Sequence, residues 1–197
     1  MKKLTGIILT ALVIVGSVFA GIDDIEGSFS ATGNGAGVGI SRDNGFIQNV
    51  AFIADLDTNK TVVVHRPQAG TSMAAASSST TVTVYTATSN VIEGVTATTD
   101  DFLIFETSSG LLLRQISTVS THSSGVQTYV MAASTTAAAG DKVYLADDGD
   151  KVSLPLTTSG IDSRYLFTGY RSRPVYIKCA TGSGPNTIIS GTYSVKR

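Results

Sequence analysis

Gly70-Thr71-Ser72-Met73-Ala74 sets a serine among small residues, as a hydrolase does when it presents a nucleophilic hydroxyl. In the triad arrangement such a serine reacts when a histidine takes its proton and a carboxylate orients that histidine. The histidines of this chain are His65 and His122. His65 stands seven residues before Ser72 in the strand-like run Val-Val-Val-His-Arg, and His122 lies in the turn-like run Thr-His-Ser-Ser-Gly. No His-Gly-Thr or Asp-Ser/Thr-Gly segment accompanies the serine, so Ser72 reads as a loop residue and not as a catalyst. Two histidines are also too few for a metal site, and neither belongs to an H-x-x-x-H spacing.

Carboxylates cluster in three stretches. Asp55, Asp57 and Asn59 match the first, third and fifth positions of a calcium loop, but the sixth is Lys60 instead of glycine and the twelfth is Arg66 instead of glutamate. Asp147, Asp148 and Asp150 form Asp-Asp-Gly-Asp, a polar hairpin turn with the chemistry for weak calcium binding. Asp100, Asp101 and Glu106 could supply the carboxylate pair of a glycosidase, yet the chain has no tryptophan to stack a sugar. The glycines at 33, 35, 37 and 39 invite a phosphate-loop reading. That reading fails, because Val38 stands at the third glycine position of the dinucleotide fingerprint and no Gly-Lys-Ser/Thr follows. The single cysteine, Cys179, cannot form an internal disulfide and reads as a small buried strand residue. No catalytic, cofactor-binding or metal-binding residue is therefore assigned.

The richest candidate interface lies between residues 164 and 176. Arg164, Arg171 and Arg173 interleave there with Tyr165, Phe167, Tyr170 and Tyr176. Arginine and tyrosine are enriched at protein interfaces because both combine a large contact area with polar ends.

The beginning of the chain reads as an address. Met1-Lys2-Lys3 is basic, Leu4 to Val15 is mostly apolar, and Val18-Phe19-Ala20 ends in a small residue, so residues 1–20 form a secretory signal peptide. The apolar run is shorter than the roughly 20 residues of a membrane span, so no stable span is expected after its removal. Without Lys2 and Lys3 the chain carries 12 basic and 15 acidic residues, with no basic stripe for nucleic acid. Serine and threonine supply about a quarter of the residues and charged residues only 15%, the composition of an extracellular β protein.

Residues 21–45 are expected to be a flexible glycine-rich arm that orders only against a neighbouring subunit or surface. Residues 46–197 are expected to form the β domain, with a subdivision near 67–80 or 157–164. Alternation of apolar and polar residues predicts strands from residue 46 onward. Phe46–Leu56 and Thr61–Arg66 are expected to pair across the turn Asp-Thr-Asn-Lys. A five-strand meander is expected over 101–156, closing with a hairpin across Asp-Asp-Gly-Asp. No long amphipathic helix follows the signal. The class is all-β, a sandwich or small β-barrel built from a meander of short antiparallel strands.

The stretch from Thr98-Thr99-Asp100-Asp101-Phe102 through Ala139-Gly140-Asp141-Lys142-Val143-Tyr144-Leu145 resembles small β-barrel modules of tailed-phage virion proteins. In those modules an aspartate-led strand, a polar hairpin and a late Ala-Gly-Asp before a Val-Tyr-Leu-type strand recur. The resemblance spans residues 95–156 and implies a structural role. With it, the expected function is that of an exported, non-enzymatic structural or interaction protein. It would act by self-association into a homo-oligomer or larger assembly, or by coating a surface, at a secreted, cell-surface or virion location. The alternative is a secreted glycan-binding or calcium-dependent adhesion module.

Overall fold

A computed structural model describes residues 24–41, 46–55, 61–146, 150–153, 165–167 and 173–196. The expected signal peptide (residues 1–20), the Asp57 and Asn59 positions, the Asp147–Asp148 stretch, and Arg164, Tyr170 and Arg171 lie outside the described residues. The protein is all-β.

The sandwich-or-barrel alternative resolves into both, one nested in the other. The chain first lays down β1 (Asp24–Thr32), β2 (Gly37–Ile40), β3 (Phe46–Asp55) and β4 (Thr61–His65). It then builds β5 (Ala69–Ser72), β6 (Ser77–Tyr85), a small hairpin of β7 (Val91–Ile92) and β8 (Val95–Thr96), β9 (Phe102–Thr107), β10 (Gly110–Ser123), β11 (Val126–Ala137) and β12 (Lys142–Ala146). It returns through β13 (Asp150–Ser153), β14 (Tyr165–Phe167), β15 (Val175–Cys179) and β16 (Ile188–Lys196).

The outer segments form two four-stranded sheets, β1-β16-β3-β14 and β13-β4-β15-β2. Alternate residues of both, among them Val50, Phe52, Val62, Val64, Ile177 and Ile189, meet in one apolar core. Cys179 belongs to this core, and burial pushes its thiol up to about 11, which keeps it protonated and inert at neutral pH. The inner segment forms a six-stranded sheet, β5-β12-β9-β10-β11-β6. This sheet curls until its ends meet, where Met73 bridges Val84 and the Ala74 amide donates to the Thr83 carbonyl at 2.9 Å. Each barrel strand sends alternate residues inward, for example Val82 and Val84, Leu103 and Phe105, Tyr129 and Met131, Val143 and Leu145. Ser124-Gly125 and Glu93-Gly94 make two-residue turns with positive φ throughout, the backbone hand that suits a twisted hairpin.

Three expectations change. Segments 46–56 and 61–66 do not form a hairpin. β3 pairs with β16 and β14, and β4 with β13 and β15, so each strand has both edges occupied in a different sheet. The meander holds through β9, β10 and β11 but not beyond. β12 adds beside β9 and is flanked by β5, which leaves no edge for β13, and β13 joins the sandwich. The glycine-rich segment is not an arm in its described part. β1 pairs with β16 from Asp24↔Lys196 to Thr32↔Ile188, and β2 pairs with β15. Its turn is tied to the C-terminal loop by Gly35 N to Ser183 Oγ (3.0 Å), Gly182 N to Asn34 Oδ1 (2.7 Å) and Gly33 N to the Thr187 carbonyl (2.8 Å). Backbone ladders within the chain offset the ordering entropy that sparse apolar side chains could not.

Tyr129 fills the barrel core, fully buried, and its hydroxyl has no hydrogen-bond partner among the described residues. Burial, and then the negative charge of Asp101, push its pKa up to about 12 from 10. The folded state therefore holds this proton more tightly than the unfolded chain does. Stability is expected to be unaffected by this group below pH 10 and to fall by up to about 3 kcal/mol as pH rises towards 12. Tyr129→Phe should remove that alkaline loss and leave stability at pH 7 equal or about 1 kcal/mol higher, since an unsatisfied buried hydroxyl is unfavourable. Urea titrations at pH 7, 10 and 11.5 measure both effects. A large loss at pH 7 would contradict the picture.

Candidate functional site

The outward face of the barrel is where the two parts meet. Ile104, Leu113, Tyr144 and Ala146 point away from the barrel core yet are buried, packed with Phe102, Leu111 and Tyr176. β9 and β12 thus bury both faces, which is why Phe-Leu-Ile-Phe and Val-Tyr-Leu are continuous apolar runs instead of alternating ones. Two of the glycines that suggested a phosphate loop serve this contact. A Cβ at Gly39 would lie 2.5 Å from Leu111, and one at Gly37 would lie 2.9 Å from a ring carbon of Tyr176. The missing side chain at Gly39 lets the barrel seat closely on β2, and the one at Gly37 makes room for Tyr176 of the neighbouring strand β15.

Of the candidate interface residues, Arg173 and Tyr176 are drawn into this internal contact. Arg173 makes a 2.7 Å ion pair with Glu93 of the β7–β8 hairpin, at side-chain exposures of 17% and 55%. Glu93 also accepts a 2.8 Å hydrogen bond from the Gly70 amide, so one carboxylate joins both parts. Burial raises the Tyr176 pKa, with Arg114 acting in the opposite sense. Tyr165 and Phe167 fall on β14, opposite Phe52 and Val50 of β3. Among the described residues, the segment is therefore divided between a sandwich edge and the barrel contact.

Two clefts flank the contact. One, of about 360 Å³, is lined by His65, Asp100, Phe102, Gln115, Lys178 and Thr181, among others. The buried His65 ring packs on Phe102 at 4.4 Å, and Gln115 donates to Asp100 at 3.1 Å. The second, of about 550 Å³, lies at the barrel mouth beside the β7–β8 hairpin, with Thr71, Tyr85, Thr88, Val91 and Glu93 in its walls. Tyr85 is 53% exposed there, the most exposed large apolar residue among those described. Gln127 holds this mouth from beneath. Fully buried, it accepts from the Asn90 amide at 3.0 Å and donates to the carbonyls of Thr128 (3.0 Å) and Ser120 (3.1 Å). The sequence offered no signal for it, because a buried glutamine in a strand looks like any polar strand residue.

Of the chemistry-bearing residues singled out in the sequence, His65, Asp100 and Cys179 line the first cleft, and the others described are dispersed. Ser72, expected in a loop, instead ends β5 opposite Lys142 of β12, with its backbone in the ladder, because β12 offers a free edge to that segment. Asp101 accepts from the Thr98 amide (2.7 Å) and hydroxyl (2.8 Å), and so closes a turn. Glu106 accepts from the Tyr144 hydroxyl at 3.0 Å. Asp101 and Glu106 stand at opposite ends of β9, about 16 Å apart along the strand, too far for a glycosidase pair. Among the described residues, no group of three or more His, Cys, Asp or Glu could hold a metal ion. No helix there is long and apolar enough to cross a membrane.

No protein-family model matches the chain, and no curated protein matches it. Among solved structures it is similar to VP17, a capsid protein of bacteriophage P23-77, at 11% identity and a TM-score of 0.22, covering 88% of this chain and 97% of that one. The VP16-VP17 complex of the same phage gives a TM-score of 0.18 at 11% identity, over 88% of this chain and 99% of that one. The VP2 subviral particle of infectious bursal disease virus gives 0.14 at 8% identity, over 88% of this chain and 41% of that one. Likenesses this slight bear no weight in assigning the chain, which is described by its own geometry as an all-β protein with a barrel inserted into a sandwich.

Proposed function

We propose that the protein is an exported, non-enzymatic structural component that works by self-association or by coating a surface, in its most specific form a decoration or surface protein of a virion. The observation that carries this reading is the surface made by β6, β10 and β11. These long adjacent strands contain one Asp, Glu, Lys or Arg among them, Arg114, and it is held by the carbonyls of Ser134 (2.9 Å) and Leu113 (2.9 Å). Elsewhere the surface is hydroxyl-rich, with Ser78, Thr80, Ser117, Thr118, Ser120 and Thr136 exposed. Such a face approaches an identical face without charge repulsion, and low net charge favours association. Light scattering on the protein recovered from an export host expressing the full chain tests the reading. Concentration-dependent assembly is expected. A strict monomer at high concentration that coats no cell surface or capsid would overturn it.

One observation favours the second reading, a glycan-binding module. The exposed Tyr85 stands in the barrel-mouth groove with Thr71, Thr88 and Glu93, an apolar ring among hydroxyls and a carboxylate. A glycan array with wild type and Tyr85→Ala decides it, since silence from wild type retires the reading.

A further inference from the structure

Sheet edges are where β proteins meet one another, and most edges here are blunted. β14 has three residues, and β13 and β2 have four each. The barrel sheet closes on itself. β1 differs. It has nine residues, is an outer strand of its sheet, and keeps unbroken register with β16, with no bulge to twist it away. It also lacks proline and lysine, the residues that most often protect an edge. Among the described residues nothing pairs with its outer side.

We infer that β1 is the docking edge for a second copy of this chain, joined antiparallel about a dyad at Ser28 into one continuous eight-stranded sheet. This rests on the self-association reading and adds to the β6-β10-β11 face a second, separate contact in a different sheet. Full overlap of nine residues on nine fixes the register, so that position 24 faces 32, 26 faces 30, 27 faces 29 and 28 faces itself. Charge selects the direction. Parallel pairing sets Asp24 beside Asp24 and Glu26 beside Glu26, whereas the antiparallel register sets each acidic position opposite a threonine or serine. Shape agrees with charge. Phe29 of each copy falls opposite Gly27 of the other, so two bulky residues never meet directly. Within the chain the same solution already appears, with Phe29 opposite Gly191 and Tyr193 opposite Gly27. Ser28, Ser30 and Thr32 lie on the exposed face and stay exposed in the joined sheet. The interface is isologous, and it closes as a dimer that other surfaces can assemble further.

The test uses opposite charges at one position. Light scattering across a concentration series compares wild type, Ser28→Lys, Ser30→Glu and Ser30→Lys, with urea midpoints confirming that each folds. Ser28→Lys sets two lysines face to face, and Ser30→Glu sets glutamate opposite Glu26. Each should weaken dimerisation at least tenfold. Ser30→Lys faces Glu26 and should dimerise as tightly as wild type or more tightly. Should either repelling variant fail to fold, the order of the remaining variants against wild type still decides. Equal assembly by every folded variant would overturn the β1 edge and leave the self-association reading standing. A wild type that stays monomeric overturns both.

Discussion

Gly191→Ala should destabilise the protein by about 3 kcal/mol, near the upper end of what overpacking costs. Gly191 sits in the middle of β16, between β1 and β3. A Cβ there would run into the Ala51 carbonyl oxygen and lie 2.9 Å from the Phe52 Cα, and both are backbone atoms of β3. It would also lie 2.7 Å from the tip of the Phe29 ring. The ring can swing away, but the β3 backbone cannot without breaking the ladder that holds the sheet together. Gly27→Ala is the control, because the three atoms nearest its Cβ all belong to the ring of Tyr193, a half-buried side chain that can give where backbone cannot. It should cost about 1 kcal/mol. Urea denaturation of both variants measures the difference. Equal costs would show that the β16–β3 spacing yields as easily as a side chain does. Total stabilities of about 5–15 kcal/mol make the larger loss a serious one.

Ile104 and Phe105 are adjacent, equally buried, and expected to fail differently. Phe105 points into the barrel and Ile104 into the contact between barrel and sandwich. Phe105→Ala should cost about 3–5 kcal/mol, since it opens a cavity among strands closed on themselves. Ile104→Ala should cost about 2–4 kcal/mol and act on the docking, not on the barrel. Hydrogen exchange separates the two. In Phe105→Ala, amides of β9 to β12 should lose protection while β3 and β16 keep theirs. In Ile104→Ala, the barrel ladders should stay protected, and the loss should appear around Gly37–Ile40 and Arg173–Tyr176. Identical exchange patterns would mean that barrel and sandwich unfold as a single unit.

The β class was legible because it is written in short-range pattern. Val82 and Val84 alternate with threonines, and alternation by twos places them on one face whatever the rest of the chain does. The turns at Ser124-Gly125 and within Thr107–Gly110 were legible for the same reason, since a few residues decide whether the backbone can reverse. The Phe-Leu-Ile-Phe run held more than alternation could extract. Its continuity signals two buried faces, but only the seating of the barrel says what covers the second.

Pairing partners were the part no local pattern could carry. Asp-Thr-Asn-Lys and Asp-Asp-Gly-Asp both have turn chemistry, and neither joins the paired strands expected of it. A turn reverses the chain, but whether the next strand pairs beside the last depends on which edge is free, and residues far along the chain decide that. β12 has β5 and β9 on its two sides, so β13 crosses to the sandwich. The glycine-rich segment follows the same rule. Its own side chains are too few to order it, and it is ordered by β15 and β16, which lie more than a hundred residues away. Arg173 and Tyr176 carry contact-making chemistry that is intrinsic to the side chain. That their described contacts are with the same chain was decided by the return of the chain from barrel to sandwich, which brings Glu93 and Arg173 within 2.7 Å across eighty residues. Composition and period are short-range properties, and a single sequence displays them. Which surfaces are left open is a property of the whole closed set of pairings, and only the tertiary structure supplies it.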